Sequence, residues 1–164
     1  MMNKSDARIL AKKLRQGLCY QQERLNMLLC PYLKDGQTVG IYYPLVDEID
    51  LLFLEKQYPN INFVFPSVKG YNMVFKDHSL GFKPGPFNTH EPIGNEVSKE
   101  KIDLIIVPAL ALNKSLDRIG YGKGYYDRYL KDYQGATLAI IFKELVLDFK
   151  AEEHDVKIKE VIYL

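Results

Sequence analysis

From Ser5 to Leu33 the apolar positions recur at helical spacing. Ile9, Leu10, Leu14 and Leu18 share one face, and Leu25, Leu28 and Leu29 resume it. Gly17 and Pro31 interrupt the run, so the pattern predicts two helices rather than one long one. "TVGIYYPL", from Thr38 to Leu45, is a short apolar run rich in β-formers and predicts a buried strand. "EIDLLFLEKQY", from Glu48 to Tyr58, reads as a helix with Ile49, Leu52 and Phe53 facing the core. "INFVFPSV" and "NMVFKDH" follow as two further strands. Residues 81–96 hold three prolines and three glycines, which predicts a long surface loop of the kind that often carries function. "KIDLIIVPALAL", from Lys101 to Leu112, is apolar on both faces, as strands of parallel sheets are. A tyrosine-rich helix, the strand "ATLAIIF", a short helix near Leu145 and the strand "KEVIYL" complete the chain. Strands alternating with helices predict an α/β fold, a three-layer α/β/α sandwich with a mostly parallel central sheet.

No linker or repeat interrupts this order, so residues 1–164 are expected to form a single domain. A chain of that length buries roughly 70% of its unfolded surface. Charged residues are 26% and the net charge is +1, which argues against a general nucleic-acid binder. Cys19 and Cys30 are too few for a disulfide framework, and no Cys/His cluster suggests zinc. The start of the chain lacks the uninterrupted apolar run of a signal peptide, and no stretch of about 20 apolar residues predicts a membrane span. A cytoplasmic protein is expected, with no obligate protein partner evident.

The chemistry concentrates in "DRIGYGKGYYDRYL", Asp117 to Leu130, where Gly120, Gly122 and Gly124 alternate with other residues. Glycines let backbone N–H groups approach an anion, and a following helix N-terminus favours negative charge. Lys123 adds a full charge, and Arg118 adds a fork suited to phosphate. That pattern fits a phosphate-binding loop, although it is neither a Walker loop nor the dinucleotide fingerprint. A flexible connection with Lys123 solvated fits the bare pattern as well. Tyr125, Tyr126, Tyr129 and Tyr133 fall at helical spacing, which favours core packing for all but Tyr125, the nearest to the loop. Spacing alone reads Asp127 as a surface partner of Lys131, Lys4 and Arg8 as a solvated helix face, and Glu48 as a helix N-terminal glutamate.

The block "VPALALNKSLDRIGYGKGYYDRYL" resembles the signature of the 5-formyltetrahydrofolate cyclo-ligase family, also called methenyltetrahydrofolate synthetase. The resemblance extends to the Lys-x-x-x-Arg pair Lys4 and Arg8, to the acidic "VDEID" after the first strand, and to "EHDVKIKEVIYL" at the end. Ala109 and Ala111 depart from it, standing where glycines are frequent.

The resemblance implies an ATP- and Mg²⁺-dependent enzyme that closes the N5-formyl group of 5-formyltetrahydrofolate onto N10. The products are 5,10-methenyltetrahydrofolate, ADP and phosphate. The formyl oxygen is a poor leaving group until ATP phosphorylates it, and such a transfer needs positioning and charge more than a side-chain nucleophile. By the same resemblance Lys4, Arg8, Arg118, Ile119, Gly120, Tyr121, Gly122, Lys123, Gly124, Tyr125 and Tyr126 match ATP-binding positions. Lys123 and Arg118 are the charges expected at the transferring phosphoryl group. Asp127 and Asp155 match magnesium ligands. Tyr43, Glu48 and the loop Tyr121–Tyr125 match folate-binding positions. Two other classes share the bare pattern, a sugar-phosphate isomerase or CoA-transferase-like α/β enzyme and a non-catalytic nucleotide-binding module. ADP formation that depends on 5-formyltetrahydrofolate separates the cyclo-ligase from both.

Overall fold

The computed structural model describes all residues from Met1 to Leu164. Its helices are α1 (Lys4–Arg15), α2 (Gln22–Leu29), α3 (Phe53–Gln57) and α4 (Tyr125–Leu130). Its strands are β1 (Thr38–Gly40), β2 (Asn62–Lys69), β3 (Asn72–Lys76), β4 (Phe82–Pro84), β5 (His90–Pro92), β6 (Glu96–Val97), β7 (Leu104–Ile106), β8 (Ala111–Leu112), β9 (Arg118–Ile119), β10 (Ala136–Ile141) and β11 (Glu160–Tyr163). Seven strands form one sheet in the order β11-β10-β7-β1-β2-β3-β6. From β11 to β2 every pairing is parallel, and only the β3 and β6 edge is antiparallel. The architecture is the α/β/α sandwich that the alternation of elements predicts. No helix is long and apolar enough to cross a membrane.

The parallel strands are apolar on both faces because helices cover both; all of Leu104–Ile106 and nearly all of Ala136–Ile141 are buried. Gly40 at the centre of the sheet serves packing. A Cβ there would lie 2.8 Å from the Phe75 ring and 3.3 Å from Ile105.

Three local expectations change. Helix α1, capped by Asn3, whose side chain accepts the Asp6 N–H at 2.9 Å, buries Ala7 and Ala11, while Ile9 points to solvent. Its inward face carries Lys4, Arg8 and Arg15, so charge there faces the protein rather than water. The predicted helix from Glu48 shrinks to α3, because side chains upstream satisfy the backbone by other means. Glu48 accepts the Leu45 N–H, Asp50 accepts the Leu52 N–H, and the Tyr20 hydroxyl accepts the Asp50 N–H. The predicted loop over residues 81–96 is instead largely a hairpin, β4 against β5, closed by a turn at Phe87 and Asn88 with φ of +59° and +57°. Two successive left-handed residues define a type I′ turn, whose twist matches paired strands.

Candidate active site

Strand β1 lies between β7 and β2, so the chain leaves β1 on one side of it and later returns on the other. The crevice beyond the carboxyl ends of β1 and β7 is therefore the switch point at which ligands bind in such sheets. A cavity of about 380 Å³ opens in this region. Tyr43, Leu45 and Glu48, which follow β1, form one part of its wall; Pro108 and the glycine loop, which follow β7, form another. Helix α1 contributes Lys4 and Arg8, and the β4–β5 hairpin contributes Phe87, His90 and Glu91.

The glycine loop is presented by a second hairpin. Strand β8 pairs with β9, and Asn113 closes their turn by accepting the N–H groups of Ser115 and Asp117, each at 2.9 Å. Each glycine that follows has a separate physical reason. A Cβ on Gly120 would collide with the Arg118 guanidinium. Gly122 and Gly124 have φ of +90° and +72°, a conformation that other residues adopt only with strain. Gly124 then caps α4.

The cations of this wall are held by the protein itself. Arg8 donates from Nε to the Gly120 carbonyl at 2.9 Å, which docks α1 onto the loop. Arg118 is 5% exposed, donates to the Pro108 carbonyl at 3.0 Å and lies 3.6 Å from Asp127. Burial lowers its pKa, and the carboxylates of Asp127 and Asp155 oppose that shift. Lys4 reaches Asp155 at 2.5 Å and Glu152 at 3.2 Å. Burial raises the Asp155 carboxyl, but the Glu152 N–H and Lys4 together outweigh it, and the net shift is downward. Lys123 is exposed and reaches across the mouth to within 4.5 Å of the Phe87 ring centre. It makes no ion pair, so its charge is free for a ligand.

The other wall is aromatic and acidic. Tyr43 stacks on His90 at 4.0 Å and meets Phe82 edge-on at 5.1 Å. Glu48 holds the Leu45 N–H at 2.8 Å, and burial raises its pKa. Burial, followed by the Glu48 charge, pushes the Tyr121 hydroxyl up to about 12. Tyr126 lies under Arg118 with its hydroxyl buried and unpartnered, and burial raises it further.

Most residues singled out from the sequence therefore meet at one cavity: Lys4, Arg8, Tyr43, Glu48, Arg118, Asp127 and Gly120–Tyr126. Ile119 does not; it is fully buried behind the wall, paired with Ala111. Asp155 stands outside the lining, one residue from Val156, whose N–H points to Asp127 at 3.4 Å. The surface pairing of Asp127 with Lys131 is replaced by Arg118, because α4 turns that face inward. Lys4 and Arg8 are not on a solvated face, and Glu48 is not in a helix. Phe87, His90 and Glu91 escaped the sequence reading, whose only signal for them was the functional character of a long Pro/Gly-rich segment.

Fold and cavity define an α/β protein of the class that binds small molecules at the carboxyl edge of a parallel sheet. The model of the "5-formyltetrahydrofolate cyclo-ligase family" matches residues 22–164. The chain is 38% identical to a 5-formyltetrahydrofolate cyclo-ligase of Mus musculus, over 93% of this chain and 84% of that one. It is similar in structure to a 5,10-methenyltetrahydrofolate synthetase from Mycoplasma pneumoniae, with a TM-score of 0.79 at 26% identity over 98% of both chains. A synthetase of the same name from Aquifex aeolicus gives 0.78, also at 26% identity, over 98% of this chain and 89% of that one. The chain belongs to the 5-formyltetrahydrofolate cyclo-ligase family.

Proposed function

We propose that this enzyme uses ATP to cyclise 5-formyltetrahydrofolate to 5,10-methenyltetrahydrofolate, releasing ADP and phosphate. The observation that carries the reading is one cavity with two chemistries. A glycine loop with a free lysine faces it from one wall, and aromatic rings with carboxylates face it from the other. The first suits a triphosphate and the second a pteridine, which offers a flat ring to stack and N–H donors to a carboxylate.

In this reading the loop amides and Arg8 hold the phosphates, and Lys123 and Arg118 stabilise charge as the γ-phosphoryl group moves to the formyl oxygen. Tyr43 and Glu48 hold the pteridine so that N10 faces the activated carbon. N10 attacks that carbon and gives up its proton to the departing phosphate or to water, the C–O bond breaks, and phosphate leaves with the oxygen. Asp127 and Asp155 fit Mg²⁺ as hard oxygen donors, two carboxylates being enough when phosphate oxygens and water complete the shell. Both are engaged in the free protein, Asp127 by Arg118 and Asp155 by Lys4, two cations that a triphosphate would draw away. Bound there, the ion would supply charge neutralisation at the phosphates.

The test is direct. Purified protein with Mg-ATP and 5-formyltetrahydrofolate should form the methenyl product, followed by its absorbance, with one ADP per turnover. Product formed equally well without ATP, or no product at all, would defeat the proposal.

A further inference from the structure

The β4–β5 hairpin forms part of the cavity wall, and Glu91 on it lines the cavity while being 7% exposed. Its Oε1 accepts the Val68 N–H at 3.1 Å. Its Oε2 is closed to bulk water and has no partner. The chain makes room for this side chain, since a Cβ on Gly85 would collide with Glu91 Cγ. A buried carboxylate with half of its acceptor capacity unused is costly, and such a group calls for an explanation. Glu48 offers the comparison. It lines the same cavity and likewise holds one oxygen on a backbone amide, that of Leu45.

We infer that Glu91 is a second folate-binding carboxylate, its free oxygen accepting an N–H from the reduced pteridine ring of the substrate. The inference rests on the folate reading above. A reduced 2-amino-4-oxopteridine carries donors at its 2-amino group, N3 and N8, which lie on two different edges of the ring. One carboxylate satisfies two neighbouring donors, and the remaining edge needs a second acceptor. The terminal torsion of a glutamate is soft, so the buried oxygen can turn toward a donor that a ligand brings in.

Glu91→Gln separates recognition from support. The Val68 N–H keeps the amide oxygen on itself, so the free oxygen is replaced by an NH₂ that faces the substrate N–H donor to donor. Titration of wild type with 5-formyltetrahydrofolate is read first, because failure to bind it overturns the folate reading and this inference with it. Given wild-type binding, Glu91→Gln should weaken folate affinity and raise its KM ten- to a hundredfold, the loss of one hydrogen bond to a charged group. ATP affinity should stay within about twofold, and the melting temperature should not fall. Glu91→Ala, which also frees the Val68 N–H, should lower the melting temperature as well. Unchanged folate affinity in Glu91→Gln overturns the inference. So does an equal loss for folate and ATP accompanied by a lower melting temperature, which would make Glu91 an anchor of the hairpin alone.

Discussion

On one wall of the cavity Lys4 meets Asp155 at 2.5 Å and Arg118 lies 3.6 Å from Asp127. On the other, Glu48 and Glu91 hold backbone amides and no cation. On the first wall Lys4 and Arg118 are paired in advance, so each has a counter-charge that it must exchange when a ligand arrives. The second keeps carboxylates without an ion pair in a partly dry site, Glu48 feeling Arg15 only at a distance, and each has capacity to accept a donor. The difference predicts that the two walls respond to mutation with opposite signs. Removing an ion-paired cation from the first should destabilise the protein as well as disable it, whereas removing a carboxylate from the second should disable it without destabilising it.

Lys123 is the exception on the cationic wall and should give the largest effect on activity. It is exposed and makes no ion pair, so Lys123→Met should lower kcat by about 10²- to 10³-fold, the usual loss for one group that stabilises developing charge. Its melting temperature should match wild type. A normal kcat would move the catalytic charge elsewhere.

Lys4→Met should show the opposite division. The Asp155 side chain is 1% exposed, so losing Lys4 strands a buried carboxylate. The expected cost is about 3 kcal/mol, or roughly 6–12 °C in melting temperature for a chain of this size. The Asp155 pKa is lowered below 3.8, so the stability it contributes is present above that value and lost as pH falls through the folded-state pKa. Lys4→Met lacks most of that stabilisation at every pH, so its deficit in melting temperature against wild type should be full near neutral pH and shrink as pH falls below 3.8. Thermal melts between pH 3 and 7 would detect this.

Glu48→Gln carries the test to the second wall. Folate affinity should drop by about 1.5–3 kcal/mol while ATP affinity holds. The Glu48 pKa is raised above 4.5, so ionisation at neutral pH opposes folding. Its contribution is present below 4.5 and lost as pH rises through the raised value. Glu48→Gln should therefore melt no lower than wild type at pH 7, with any gain vanishing in acid. A clear fall in its melting temperature would break the contrast between the walls.

Gly122→Val should cost a modest amount of stability, less than Lys4→Met. A Cβ there stands 3.5 Å from Arg8, an ordinary contact, so the cost is the strain of φ +90°, about 1–2 kcal/mol. ATP affinity should fall further than that strain accounts for, because the added bulk stands where phosphate approaches. Isothermal titration beside a thermal melt separates the two effects.

The glycine loop was legible as a loop from the sequence because its signals are local. Alternating glycines between a buried strand and a helix mark a loop whose backbone is free to turn, while the pattern alone left open whether Lys123 is solvated or faces a ligand. The parallel sheet was legible for the same kind of reason, since "LIIV" and "LAII" are apolar at every position and only burial on both faces explains that. The hairpin from Phe82 to Pro92 was not legible. Its prolines and glycines suggest a loop, and only pairing across the turn at Phe87 and Asn88 turns it into a wall.

Helix α1 marks the boundary between the two kinds of information. Its amphipathic spacing and its Asn3 cap determined that a helix forms, because capping and periodicity act within a few residues. Which face turns inward was decided by what it packs against. A rule that places apolar residues inside selects Ile9, but the interior here includes a site that needs charge. Ala7 and Ala11 bring the backbone close, and Lys4 and Arg8 reach Asp155 and Gly120, residues more than a hundred positions away. The sequence determined the first helix, the buried parallel strands and the glycine loop, whose causes are local. The tertiary structure decided the partner of each buried charge, because a charge leaves water only where distant chain segments supply its counter-charge or its hydrogen bonds.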